Sequence, residues 1–151
     1  MLFVGAVDRQ LDEKGRVALP AQFRAHLGEQ CYLVKGLNKC VNIMSTADFE
    51  RVALELRDRV DRGEADLNHQ RALAWSATLA NIDKQGRVLL ADKLREYAGI
   101  GDDQQVVVAG NLDRLEIWAP SRFNRVDAAG TTGMAGDIDD EFDDPREPVP
   151  S

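Results

Sequence analysis

Two charged stretches hold the residues of this chain that could do chemistry: "LDEKGRVALP" at 11–20 and "IDKQGRVLLA" at 82–91. Both set Asp, Gly and Arg at one spacing, as Asp12, Gly15 and Arg16 and as Asp83, Gly86 and Arg87. The side chains they offer a partner are Lys14 and Arg16 in the first, and Lys84, Gln85 and Arg87 in the second. Arg presents two donors to a guanine edge or a phosphate, Lys meets phosphate as a point charge, and Gln can pair with adenine. These five are the candidate DNA-contacting residues, and Arg9, Arg24 and Arg95 are further candidates for facing DNA. Asp12, Gly15, Asp83 and Gly86 read as loop-structuring residues: Gly permits the tight turn, and the carboxylate accepts the turn's N–H groups or an Arg. For the arginines the spacing leaves two roles open, contact with DNA or a salt bridge that fixes the turn.

Catalysis fits poorly. One Asp in each half of a duplicated β unit matches the arrangement of aspartic proteases, whose two carboxylates share a proton. That site needs small hydroxylated residues and Gly directly after each Asp, whereas Glu13-Lys14 and Lys84-Gln85 stand there. His26 and His69 have no Ser or Cys nucleophile at a suggestive spacing and suit surface helix positions. Cys31 and Cys40 form no CxxC pair and have no His ligand set nearby, so they read as small buried thiols. No catalytic residue, metal site or cofactor is expected. Trp75 and Trp118 lie in apolar strings and are expected in the core.

The 151 residues have a net charge of −7, which argues against a nucleic-acid partner until it is divided along the chain. Residues 137–151, "DIDDEFDDPREPVPS", carry seven acids and one Arg. The other 136 residues carry 18 Lys plus Arg against 19 Asp plus Glu, and a nearly neutral body can gather its cations on one face. No apolar run approaches the roughly 18 residues of a membrane span, and "MLFVGAVDRQ" lacks a basic lead and cleavage site, so a cytoplasmic protein is expected.

The elements that must position the two turns are duplicated with them. At an offset of 71, Arg24 matches Arg95 and Gly28 matches Gly99; after an insertion in "GIGDDQ" the offset becomes 74. Gly36 then matches Gly110, Ile43 matches Ile117, and Phe49, Arg51 and Val52 match Phe123, Arg125 and Val126. Each copy reads as strand, turn, strand, short helix and two more strands, a β-β-α-β-β unit written twice. Two such units are expected to share one barrel about a pseudo-twofold axis, with both turns on one side. Ser45 and Asp48 form a capping box before a helix striped by Phe49, Val52, Leu56 and Val60, and Asp66 opens a second helix through Trp75. From about Asp127 the chain turns Gly-rich, then acidic, then Pro-rich, and is expected to be disordered. Half-covered β edges such as "CYLVKG" predict a homo-oligomer larger than a dimer.

The stretches "LDEKGRVALPAQFR", "IDKQGRVLLADKLREYAGI" and "DRLEIW" closely resemble the MraZ family of bacterial regulators, built from two domains of the SpoVT–AbrB type. The resemblance covers residues 1 to about 126 with both DxxxR turns intact. It implies an α+β, mainly β fold: a tandem pseudo-twofold swapped-hairpin barrel with connecting helices. The divisions are a first domain at 1–50, a helical linker at 51–75, a second domain at 76–126 and an acidic tail at 127–151. It further implies ring-like oligomers that bind double-stranded DNA at short promoter repeats of the division and cell-wall gene cluster, their own promoter included. Repression, a nucleoid-associated cytoplasmic location and no membrane partner follow from the same resemblance. Carried over by position, the DNA-facing turns are Asp12 to Arg16 and Asp83 to Arg87. The second copy departs at Ala91-Asp92, where the first has Pro20-Ala21. The other class still open is an oligomeric interaction module whose DxxxR turns are purely structural.

Overall fold

The computed structural model describes residues 2–136. Up to Pro120 they form one unit, and the residues after it form another. The first repeat supplies β1 (Ala6–Gln10), β2 (Arg16–Ala18), α1 (Ala21–Leu27), β3 (Gln30–Lys35) and β4 (Val41–Ser45). Two helices follow, α2 (Thr46–Asp61) and α3 (Leu67–Ser76). The second repeat supplies β5 (Thr78–Asn81), β6 (Arg87–Leu89), α4 (Asp92–Ala98), β7 (Gln105–Asn111) and β8 (Arg114–Trp118), and α5 (Pro120–Ala135) ends the described chain.

The fold is mixed α+β with antiparallel strands throughout. Six strands form one sheet in the order β1-β7-β8-β4-β3-β5, and β2 and β6 form a second. Neither repeat pairs only with itself. Strand β1 leaves its own repeat to pair with β7, and β5 pairs with β3 of the first repeat. In the small sheet Val17 faces Val88, and between β4 and β8 Asn42 faces Glu116. Both are pairs of repeat mates, which is what a twofold axis through the two sheets requires.

Alternation along these strands explains the core. Val17 and Val88 are the inward residues of two three-residue strands, and Leu19 and Leu90 follow them inward. They join Phe3, Phe23, Leu27, Leu33, Ile43, Leu94, Val106, Val108, Leu115 and Ile117 in one cluster. Phe3 packs edge-on to Phe23 at 5.4 Å between ring centres. Both short helices open the same way in spite of their different sequences. The residue before α1, Pro20, has φ −54° and ψ 141°, and its counterpart Ala91 has φ −61° and ψ 151°. The Ala91-Asp92 departure therefore leaves the helix start unchanged.

In α2 the Ser45 hydroxyl accepts from Asp48 N–H at 3.1 Å, and in α3 the Asp66 carboxylate accepts from Asn68 N–H at 2.8 Å. The expected stripe packs α2, with Leu56 buried and Phe49 stacked on Tyr32 at 4.3 Å. Two expectations need correction. Trp118 is buried, but Trp75 is 80% exposed, because it lies about 200° around α3 from the inward Leu73. The chain from Asp127 was expected to be disordered, yet residues 127–135 are helical as the second half of α5. The acidic run of 137–151 lies outside the described residues.

Candidate nucleic-acid interface

Each turn is closed by its own aspartate. Asp12 N–H donates to the Arg16 carbonyl and Gly15 N–H to the Asp12 carbonyl, both at 2.9 Å. Asp12 Oδ1 accepts from the backbone N–H of Lys14 at 3.0 Å and of Arg16 at 2.9 Å, while Oδ2 accepts from Arg16 Nε at 2.7 Å. The second turn repeats this atom for atom. Asp83 Oδ1 accepts from Gln85 N–H at 2.9 Å and Arg87 N–H at 2.8 Å, and Oδ2 accepts from Arg87 Nε at 3.0 Å. In both, the backbone N–H of the Arg is the foremost cause holding the carboxyl below its ordinary pKa; partial desolvation opposes it, and the Arg side chain adds to it. Gly15 and Gly86 have φ of 81° and 78°, in the left-handed region that Gly enters without a Cβ penalty.

The two turns touch. Leu90 N–H donates to the Gly15 carbonyl and Leu19 N–H to the Gly86 carbonyl, each at 2.9 Å. Arg87 Nη1 lies 3.5 Å from Asp12 Oδ2, and Arg16 Nη1 lies 4.0 Å from Asp83 Oδ2. Two carboxylates and two guanidiniums thus form one neutral cluster at the twofold axis, with side chains 27–35% exposed. Lys14, Lys84 and Gln85 are exposed beside it.

The three additional candidates sit differently. Arg9 is half-buried and gives Nε to the Ala18 carbonyl at 3.3 Å. Arg24 and Arg95 each cross to the opposite repeat and cover its turn glycine. A Cβ on Gly86 would lie 2.6 Å from Arg24 Cζ, and one on Gly15 would lie 3.1 Å from Arg95 Nη1. The Nε atoms of both are buried without a hydrogen-bond partner, and Arg95 also pairs with Asp92. Bracing is a contribution that spacing alone did not reveal; its signal was an Arg matched 71 positions apart on each short helix.

The surroundings of the two turns are unequal in charge. Once Asp–Arg pairing is counted, Glu13 offsets Lys14 in the first turn, whereas Lys84 stands beside neutral Gln85 in the second. A cleft beside the first turn is lined by Glu13, Asp92, Glu96 and Asp102 as well as Arg95. No group of three or more His, Cys, Asp or Glu among the described residues is placed to hold a metal. Burial pushes the Cys31 thiol up to about 11; burial, helped by the nearby Glu116 carboxylate, pushes Cys40 up to about 12. Neither thiol is a nucleophile at neutral pH. No helix of the described residues is long and apolar enough to cross a membrane.

The sequence profile of the family described as "MraZ protein, putative antitoxin-like" matches residues 2–68 and 73–130, one match for each repeat. Among curated proteins, the chain is 38% identical over 143 residues to a protein of Nocardioides sp. named transcriptional regulator MraZ, covering 93% of this chain and 96% of that one. A Symbiobacterium thermophilum protein of the same name is 39% identical over 80% of this chain and 86% of its own. One from Roseiflexus sp. is 35% identical over 83% and 86%. With both repeats matched and these relatives aligned over most of their lengths, the chain belongs to the MraZ family.

Proposed function

We propose that this protein is a sequence-specific DNA-binding transcriptional regulator. In this reading it represses by binding short repeated promoter elements of the division and cell-wall gene cluster, its own promoter among them. The observation that carries the reading is the meeting of the two DxxxR turns across the twofold axis, which presents Lys14, Lys84 and Gln85 from adjacent loops. The relatives' printed names, transcriptional regulator, support it. The exchange of β1 and β5 between repeats supports the strand swapping expected for SpoVT–AbrB-type domains, although the strands form a six-stranded and a two-stranded sheet and not one closed barrel. Repetition of the loops in a homo-oligomer would raise a weak single contact through effective concentration.

The ion pairs favour a division of labour among the five candidates. Arg16 and Arg87 give Nε to their own Asp and direct Nη1 at the partner turn's Asp, so they hold the loops. Lys14, Lys84 and Gln85 have no such duty. The test is a footprint on the DNA just upstream of the gene, followed by gel-shift titrations beside melting curves. Lys14→Ala with Lys84→Ala should weaken operator binding at unchanged melting temperature and flatten its salt dependence. Arg16→Ala with Arg87→Ala should lower both. Wild-type affinity in both double variants would overturn the loop-contact reading, whereas an oligomer that leaves its upstream DNA unbound at moderate salt would favour an interaction module whose Asp–Arg turns are purely structural.

A further inference from the structure

Helix α3 has two unlike flanks. On one, Tyr32, Phe49, Leu54 and Leu73, with Arg57 and Gln70 beside them, line a mainly apolar groove of about 420 Å³ between β3, α2 and α3. Leu54 is 42% exposed at this groove. On the other flank Lys35, Arg71 and Lys93 share a cleft with Trp75. The acid in that cleft, Asp92, is already paired with Arg95. Trp75 at 80% exposure, with Leu67 at 43% and Leu79 at 48% nearby in sequence, adds apolar surface of the kind that marks an interaction face.

Helix α5 has the converse deficiency. It repeats α2, with Phe123, Arg125 and Val126 at the places of Phe49, Arg51 and Val52, but none of its residues is buried. Gly130, Thr131, Thr132 and Gly133 are poor helix formers, and sixteen residues of this composition do not hold a helix alone in water. Phe123, Val126 and Met134 fall within about 80° of one face, with Gly130 as a notch between them. Val126 is 36% and Met134 92% exposed. Directly after α5 the sequence runs into the seven acids of 137–151.

We propose that α5 of one copy docks through Phe123, Val126 and Met134 in the α2–α3 groove of a second copy. The order along the chain, apolar stripe and then acids, matches the order across α3, apolar groove and then Lys35, Arg71 and Lys93. Because the two surfaces differ, the contact is head-to-tail and propagates until a ring closes or a filament grows. This rests on the self-association reading above and assigns its surfaces.

The experiment mixes two full-length chains, one carrying Leu54→Cys and the other Val126→Cys, under mild oxidation. Native Cys31 and Cys40 are buried. A covalent dimer that forms in the mixture and exceeds what either chain gives alone is the expected result. Light scattering of Phe123→Asp should show the assembly reduced to monomer mass while circular dichroism keeps the β signal. An assembly of unchanged mass with no mixed disulfide overturns the proposed surface and leaves self-association standing. A wild-type monomer overturns both, and DNA binding measured on the same sample stands apart from either. A Leu54→Cys/Val126→Cys double variant that closes its disulfide within one chain overturns docking on a second copy.

Discussion

At the scale of single residues, the two aspartates do the most local work and give the plainest pH behaviour. Each accepts two backbone N–H bonds and one from Arg Nε, so each ionises below the usual carboxyl value. A carboxyl depressed in the folded state contributes stability that is fully present above the ordinary range near pH 4. That contribution is lost as pH falls through the folded value. Chemical denaturation should therefore show wild type losing stability below about pH 4. Asp12→Asn with Asp83→Asn should lose less over the same window, and identical pH profiles for the two would refute the assignment. A second prediction follows from Glu13. With Arg16 matched by Asp12, Glu13 is the acid that cancels Lys14 toward a polyanion, so Glu13→Gln should tighten DNA binding and steepen its salt dependence by about one unit of slope. Unchanged titrations at two salt concentrations would place Glu13 outside the interface. The aspartates' role was legible in the sequence because an Asx turn is local: spacing alone sets its donors. The pairing of Arg87 with Asp12 was not, because 75 residues separate them and only strand pairing between β2 and β6 brings them together.

At the scale of elements, periodicity and capping residues were reliable where a helix or strand meets its own neighbours. The Ser45 and Asp66 caps and the Phe49–Val52–Leu56–Val60 stripe could be read directly. Trp75 could not, since an apolar string does not say which face of α3 meets the sheet. Helix α5 was missed in its second half for a related reason: Gly130 and Gly133 lower intrinsic propensity, so its helicity cannot be read from local composition. The turns give the sharpest test at this scale. Gly15→Ala and Gly86→Ala both force an L-residue to positive φ, at about 1–2 kcal/mol each. Gly86→Ala also drives a methyl into Arg24, which must leave its packed position, whereas the space beside Gly15 is looser. Gly86→Ala should therefore melt lower than Gly15→Ala, and Arg24→Ala should narrow that gap. Equal melting temperatures for the two Gly variants would show that Arg24 yields without cost.

At the scale of the whole molecule, the two repeats lie in one compact unit as far as Pro120, and their strand pairing predicts that they fold together. The second repeat, taken alone as residues 76–126, would keep the β7–β8 hairpin and lose most of what surrounds it. Strand β1 would be missing from one side of β7, β4 from β8, and β3 from β5. Strand β6 would lose its partner β2, and Leu90 would lose the Gly15 carbonyl as an acceptor. Residues 1–75 would suffer the mirror-image losses. Long unpaired edges with apolar inward faces associate or stay unfolded rather than stand alone. Each fragment expressed separately should thus be unfolded or self-paired by circular dichroism and light scattering. An equimolar mixture should recover a cooperative melt, because the complementary strands restore both sheets and the Asp–Arg cluster. The core supports this, since Val17 and Leu19 from one fragment pack in the same cluster as Val88 and Leu90 from the other. A self-paired fragment is itself informative: the twofold relation of the repeats lets two identical copies imitate the native pairing of Val17 with Val88. The decisive reading is the mass of the folded species. A fragment of residues 76–126 that is folded, cooperative and monomeric would show that the repeats are independent domains, and the shared axis that sets the two DxxxR turns side by side would then have no structural basis.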